Sequence, residues 1–293
     1  MADDDLYRKA GRAAAAARDH GASLLRPGAF LLDVAEEMES RVRKEGAGLA
    51  FPVNISINDI AAHFTPTSDC KARFETGMLV TLDVGAHVEG RIGDTAITVE
   101  IVSRRWGNLI KASCKALDQA IEMLRPGMEM RLVGGAIERT IGSFGYRPVC
   151  NLTGHSVSPY ALHSGVSVPN VDDASKEFLR EGEAVAVEPF ATNGAGRIKG
   201  TKNSSIYRLL REPKEAELAE FPLLGHISRE FRTLPFAERW CAKVDEKAGK
   251  QLARLLRRGV INYYPILVEV EGGMVSQAEH TMIVRNDGVE VTT

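Results

Sequence analysis

The sequence predicts a pseudo-twofold α/β fold on three observations. One order of elements recurs at an offset of about 99 residues, carboxylates interrupt apolar strands at corresponding places of the two copies, and the apolar content is high enough for a large core. Hydrophobic residues make up 44% of the 293, enough for one large domain or two smaller ones. The 37 basic residues nearly cancel the 39 acidic ones and leave a net charge of −2, so no global field draws the chain to nucleic acid or membrane.

The start, Met1-Ala-Asp-Asp-Asp5, is acidic and runs into Arg8, Lys9, Arg12 and Arg18 spread through alanines, without the apolar stretch of a signal peptide. No window holds the eighteen or so apolar residues that a membrane span needs. A cytoplasmic protein is therefore expected. Cys70, Cys114, Cys150 and Cys241 form no Cys-x-x-Cys and read as free thiols of a reducing compartment.

The first copy opens with an alanine-rich helical stretch over about 6–25, ended by Leu-Leu-Arg-Pro-Gly28; the second opens over about 108–125 and ends in Met-Leu-Arg-Pro-Gly127. Pro and Gly stop the helix and reset the chain. A second helix follows in each copy, with Val34, Met38 and Val42 matched by Val133, Ile137 and Ile141. Ser56, Ala61 and His63 then match Ser156, Ala161 and His163, and Gly77-x-x-Val80-x-Leu82-Asp83 matches Gly182-x-x-Val185-x-Val187-Glu188. Gly90-Arg91-Ile92 is matched by Gly196-Arg197-Ile198. The unit is helix–helix–strand–strand, and each copy delivers one histidine and one carboxylate toward the axis.

The strand over 77–85 is interrupted by Asp83, and the strand over 92–101, containing Asp94, is its hairpin partner across Glu89-Gly90. That two-residue turn sets Asp83 opposite Ala96 and Asp94 on the diagonal of the same face. A slip of one residue would separate them. Glu188 ends Ala184–Val187, and Glu279 precedes the apolar Thr281–Val284. One such acid alone reads as a strand-edge residue or half of an ion pair. These strands offer no Lys or Arg as partner, and four unpaired buried carboxylates would cost several kcal/mol each, so metal coordination is the expected escape. His155, in Leu-Thr-Gly-His155, adds an imidazole. Four carboxylates and one neutral imidazole balance two divalent ions, and the donor set suits Mn, Fe, Co or Zn. Paired ions of this kind serve hydrolases of peptides or phosphates.

With these residues in view the chain resembles the methionine aminopeptidases. The resemblance rests on Phe51-Pro-Val-Asn-Ile-Ser-Ile-Asn-Asp-Ile-Ala-Ala-His63, Asp83, Asp94, Gly154-His155 through Leu162-His163, Val187-Glu188-Pro189 and Gln277-Ala278-Glu279-His280. It covers nearly the whole chain. The segment 205–262 between Glu188 and Glu279 makes it closest to type II, and the short acidic start makes it similar to the archaeal form. The resemblance implies the pita-bread fold, with a catalytic domain of residues 1–204 and 263–293 and an insertion at 205–262. It implies Asp83 on the first metal, Asp94 and Glu279 on both, and His155 with Glu188 on the second. Glu188 doubles as proton shuttle, taking the proton of an attacking water and passing it to the leaving amine. His63 and His163 donate to the scissile amide and to the oxyanion, and Phe51, Ile206 and Tyr264 line a pocket for Met. The implied activity is removal of the initiator methionine when the second residue is small, a rule that Met1-Ala2 satisfies. A monomer working on nascent peptides is expected, with the ribosome as a candidate partner and neither membrane nor nucleic acid involved.

In the insertion, residues 227–233, 234–242 and 247–258 read as helices and 260–264 as a strand, a winged-helix-like order. Arg254, Arg257 and Arg258 could meet phosphates, although a helix C-terminus favours basic residues in any case. His87 and His280 are read as structural, and His20 and His226 as surface residues. Two other readings stay open: a proline-directed aminopeptidase of the same fold, and a non-catalytic relative that binds RNA or protein.

Overall fold

The computed structural model describes residues 3–293, so Met1-Ala2 lies outside the described residues. Helices Asp3–Leu24 and Leu31–Lys44 form one layer piece, and helices Gly107–Met123 and Met130–Ser143 form its counterpart. The second helices of the two copies begin and end at the same offset, 31 to 130 and 44 to 143. Their matched residues are all core: Val34, Met38 and Val42 pack in one cluster, and Val133, Ile137 and Ile141 in the other. The turns before them correspond as well. Gly28 and Gly127 both adopt positive φ, 87° and 78°, a conformation that favours glycine. Their amides donate to Phe74 O and Leu179 O, each at 2.8 Å.

The helices cover a nine-stranded antiparallel sheet. Its main path runs Gly48–Leu49, Leu79–Val88, Arg91–Glu100, Glu279–Arg285, Ala184–Val187, Thr153–Ser158, Ala161–Pro169. Asn54–Ile57 pairs with Leu79–Val88, and Gly288–Val291 pairs with Glu279–Arg285. The pseudo-twofold axis passes between Arg91–Glu100 and Glu279–Arg285, where Ala96 faces Glu279. This is the pita-bread arrangement that the duplication implies.

The axis corrects one match. Gly196-Arg197-Ile198 leads into Ile198–Leu209, which sits in a separate four-stranded sheet with Phe236–Ala237, Ile261–Glu269 and Ile60–Ala62. The position equivalent to Arg91–Glu100 is filled by Glu279–Arg285, from much later in the chain. That strand brings Met282, Ile283 and Val284, all fully buried. Ile198–Leu209 carries exposed Lys199, Thr201, Lys202 and Asn203, which a central strand packed on both faces cannot accommodate.

The segment after Leu209 folds around Phe221, Phe236, Trp240, Leu252 and Leu255. Its helices are Glu215–Glu220, Pro222–Glu230, Glu238–Ala242 and Ala248–Arg257. The helix expected over 234–242 is instead a short strand, Phe236–Ala237, followed by a helical turn. Pro235 has no amide to continue a helix, and Phe236 and Ala237 pair with Tyr207 and Ile206. The expected helix 247–258 is present, and Gly259 ends it at φ 62°. Among the described residues no helix is long and apolar enough to cross a membrane. The four cysteines are unpaired.

Candidate metal centre

The hairpin register follows from its turn. Glu89 and Gly90 take φ 50° and 86°, as a two-residue loop requires, so Val88 pairs with Arg91, Asp83 with Ala96 and Gly85 with Asp94. Asp83 and Asp94 thus occupy diagonal positions on one face, as the turn predicts. Glu279 enters from across the axis, Glu188 follows directly on Ala184–Val187, and His155 stands opposite Ala186 on the next strand. His155 Nε2 lies 3.6 Å from Glu188 Oε1 and 3.9 Å from Asp94 Oδ2. One ligand atom from each of Asp94, His155 and Glu279 falls within 4.8 Å of the others.

Asp94, His155 and Glu279 are buried and Asp83 and Glu188 half-buried, and the carboxylates repel one another. Burial raises the Asp83 carboxyl to about 7. Asp94, Glu188 and Glu279 are held well above the usual carboxylate range by burial first and neighbouring negative charge second. Asp83 Oδ1 and Asp94 Oδ1 are buried without a hydrogen-bond partner. Unpaired oxygens beside one imidazole and no buried Lys or Arg suit divalent cations, which would satisfy both the charge and the orphaned acceptors.

Gln277 was not singled out as a site residue. Its Nε2 donates to Glu188 Oε2 at 3.1 Å and to Glu279 Oε2 at 3.2 Å, which orients two candidate ligands. The signal for it was its place two residues before Glu279, since alternate residues of an extended segment share a face.

One cavity of about 230 Å³ is lined by all ten residues selected from the sequence: Phe51, His63, Asp83, Asp94, His155, His163, Glu188, Ile206, Tyr264 and Glu279. His63 has φ 64°, its Nδ1 lies 3.2 Å from Pro265 O, and its ring meets Tyr264 edge-on at 5.1 Å. Burial lowers its pKa to about 4, so it is neutral near pH 7. A carbonyl can only accept, so Nδ1 holds the proton and Nε2 is left as an acceptor. This reverses the expected donation by His63. His163 stands at the mouth, exposed on its outer side, with its ring turned inward 4.3 Å from that of His155. Burial of the ring first, and the positive charge of Arg208 second, lower its pKa to about 4.

The remaining histidines stay outside the centre. His280 Nδ1 meets Thr293 Oγ1 at 2.8 Å, and His87 lies against Tyr160. His20 approaches Glu37 at 3.7 Å and His226 packs on Phe231, so both are half-buried rather than free on the surface. Arg254 and Arg258 both pair with Glu220, which neutralises part of the basic helix end.

A two-copy sheet that closes four carboxylates, an imidazole and two neutral histidines around one small cavity defines a metal-dependent hydrolase. Residues 5–219 match the model of metallopeptidase family M24. The chain is 44% identical over 286 residues to the methionine aminopeptidase of Methanocaldococcus jannaschii, covering 97% of this chain and 96% of the relative. The chain therefore belongs to the methionine aminopeptidases of metallopeptidase family M24. The fold also resembles that of a thermophilic Arx1, with TM-score 0.86 and 15% identity over 98% of this chain and 89% of that one. It resembles the methionine aminopeptidase of Thermotoga maritima, with TM-score 0.71 and 23% identity over 99% and 95%. At these identities the two structures bear on fold alone.

Proposed function

We propose that this chain removes the initiator methionine from nascent proteins whose second residue is small, at a centre of two divalent ions held by Asp83, Asp94, His155, Glu188 and Glu279. The observation that carries the reading is the convergence of these five groups with His63, His163 and an apolar wall on one cavity. Asp83, His155 and Glu188, together with Asp94 and Glu279 on the two strands that meet at the axis, would hold the two ions. When bound, the ions, Mn, Fe, Co or Zn, lower the pKa of a water toward neutrality and polarise the first peptide carbonyl.

Glu188 takes the proton released from that water and delivers it to the leaving amine, with Gln277 fixing its orientation. His63 accepts the N–H of the scissile amide through Nε2. His163, neutral near pH 7, donates to the oxygen on which negative charge develops. Phe51, Ile206 and Tyr264 form the apolar wall for the unbranched methionine side chain. The insertion 205–262 contributes Ile206 to this wall and completes the catalytic domain of residues 1–204 and 263–293. The pairing of Arg254 and Arg258 with Glu220 supports a role in building the cleft rather than in meeting nucleic acid. The enzyme works as a cytoplasmic monomer on peptide N-termini, at or near the ribosome.

Two measurements test this reading. Loaded in turn with Mn, Fe, Co and Zn, the protein is expected to release Met from Met-Ala-Ser and not from Met-Leu-Ser, and equal rates on the two peptides would sink the small-residue rule. His163→Ala is expected to lower kcat by roughly 10²–10³ while calorimetry shows the metals still bound. Loss of metal binding in that variant would contradict its place outside the ligand set.

A further inference from the structure

We propose that Arg208 is a specificity residue that reads the third residue of the substrate and favours an acidic one there. The inference rests on the methionine-removal reading and extends it to a part of the substrate that the reading leaves unassigned.

Arg208 lies two residues beyond Ile206 on strand Ile198–Leu209, and alternate strand residues share a face. Ile206 is buried in the cavity wall; Arg208 is exposed. Its guanidinium carbon stands 5.7 Å from the ring centroid of Tyr264, and Tyr264 both lines the cavity and meets His63. Arg211, three residues on, is held by Glu217 at 2.6 Å. Among the described residues Arg208 has no ion pair within 4.0 Å, and it is exposed, so its charge is open to a ligand. Its neighbours Ile206 and Tyr264 line the cavity while Arg208 itself is exposed, which sets the guanidinium just outside the cavity wall.

The path of the substrate follows from the closed inner end of the site. An enzyme that cuts after the first residue holds the amino terminus against the buried acids, and the rest of the chain runs outward toward the exposed rim on which His163 stands. A small second residue fits beneath the rim, and the third is the first whose side chain clears the wall. It emerges beside Arg208, where a carboxylate would be attracted and an ammonium repelled. Tyr264, through its hydroxyl and its ring, holds the guanidinium in place, so little rotamer freedom is lost on binding.

The test uses the metal-loaded enzyme at low salt with Met-Ala-Glu-Ser, Met-Ala-Gln-Ser and Met-Ala-Lys-Ser. The expected kcat/KM for the Glu peptide exceeds that for the Lys peptide by about fivefold, mostly through KM, and the ratio falls as salt is raised. In Arg208→Gln the ratio is expected to approach one. Equal kcat/KM on the three peptides, or an unchanged ratio in Arg208→Gln, would overturn the assignment and leave the methionine reading standing. No release of Met from any of the three would remove that reading, and this inference with it.

Discussion

Asp94→Asn is expected to abolish turnover, lowering kcat/KM by at least about 10³, and at the same time to stabilise the metal-free protein at pH 8. The two effects have one cause. Asp94 sits between Asp83 and Glu188 with no cation near it, and burial and those two charges hold its pKa well above the usual carboxylate range. A carboxyl whose folded value lies above its unfolded value contributes stability at low pH. That contribution is lost as pH rises from the unfolded value, near 4, through the folded one. Asp83, raised to about 7, follows the same sign.

The metal-free wild type should therefore lose stability as pH rises above about 4, with Asp83 releasing its proton near 7 and the other three carboxyls extending the loss upward. Removing one of the four charges should recover about 1–3 kcal/mol at pH 8, which thermal melts in a chelator would register as a rise of several degrees. At pH 5 the difference should shrink. With metal present the order reverses, because the wild type gains roughly 3 kcal/mol at a metal concentration about a hundred times its Kd. A metal-free Asp94→Asn that melts below the wild type at pH 8 would mean that the four acids are not in conflict without cations.

Arg239→Met is expected to destabilise the protein by about 3–5 kcal/mol, the cost of leaving one half of a buried ion pair alone. Arg239 and Glu39 are both almost fully buried and pair directly across 200 residues of sequence. Trp240 Nε1 donates to the other Glu39 oxygen at 2.8 Å. Arg239 also donates to Thr65 Oγ1 at 2.7 Å, and that hydroxyl donates to Val53 O at 2.8 Å. The network clamps the insertion onto the segment carrying Phe51 and His63. Its loss should therefore raise KM as well as lower the denaturation midpoint. The double variant Glu39→Leu, Arg239→Met should recover most of the stability, since a buried pair is often replaceable by apolar residues of similar volume. If the double variant is as unstable as the single one, the ion pair is not what Arg239 contributes.

The sequence by itself determined the repeat, the hairpin and the candidate ligands that converge on one cavity. Each is encoded over short range: helix period and Arg-Pro-Gly stops set the two halves, and a two-residue turn with strand alternation set Asp83 against Asp94 in the observed register. Charged residues in apolar strands stood out for the same local reason, the cost of burying them unpaired. Only the tertiary structure decided which strand completes the second half. Glu279–Arg285 and Ile198–Leu209 both follow the matched elements, and the choice rests on which can be packed on two faces. The structure likewise decided the proton position on His63, through the distant carbonyl of Pro265, and the roles of Gln277, Arg239 and Arg208. The roles of Arg239 and Arg208 depend on partners 200 and 56 positions away, contacts that leave no period or spacing in a single chain; strand alternation sets Gln277 beside Glu279 but does not show its other partner, Glu188, 89 positions away.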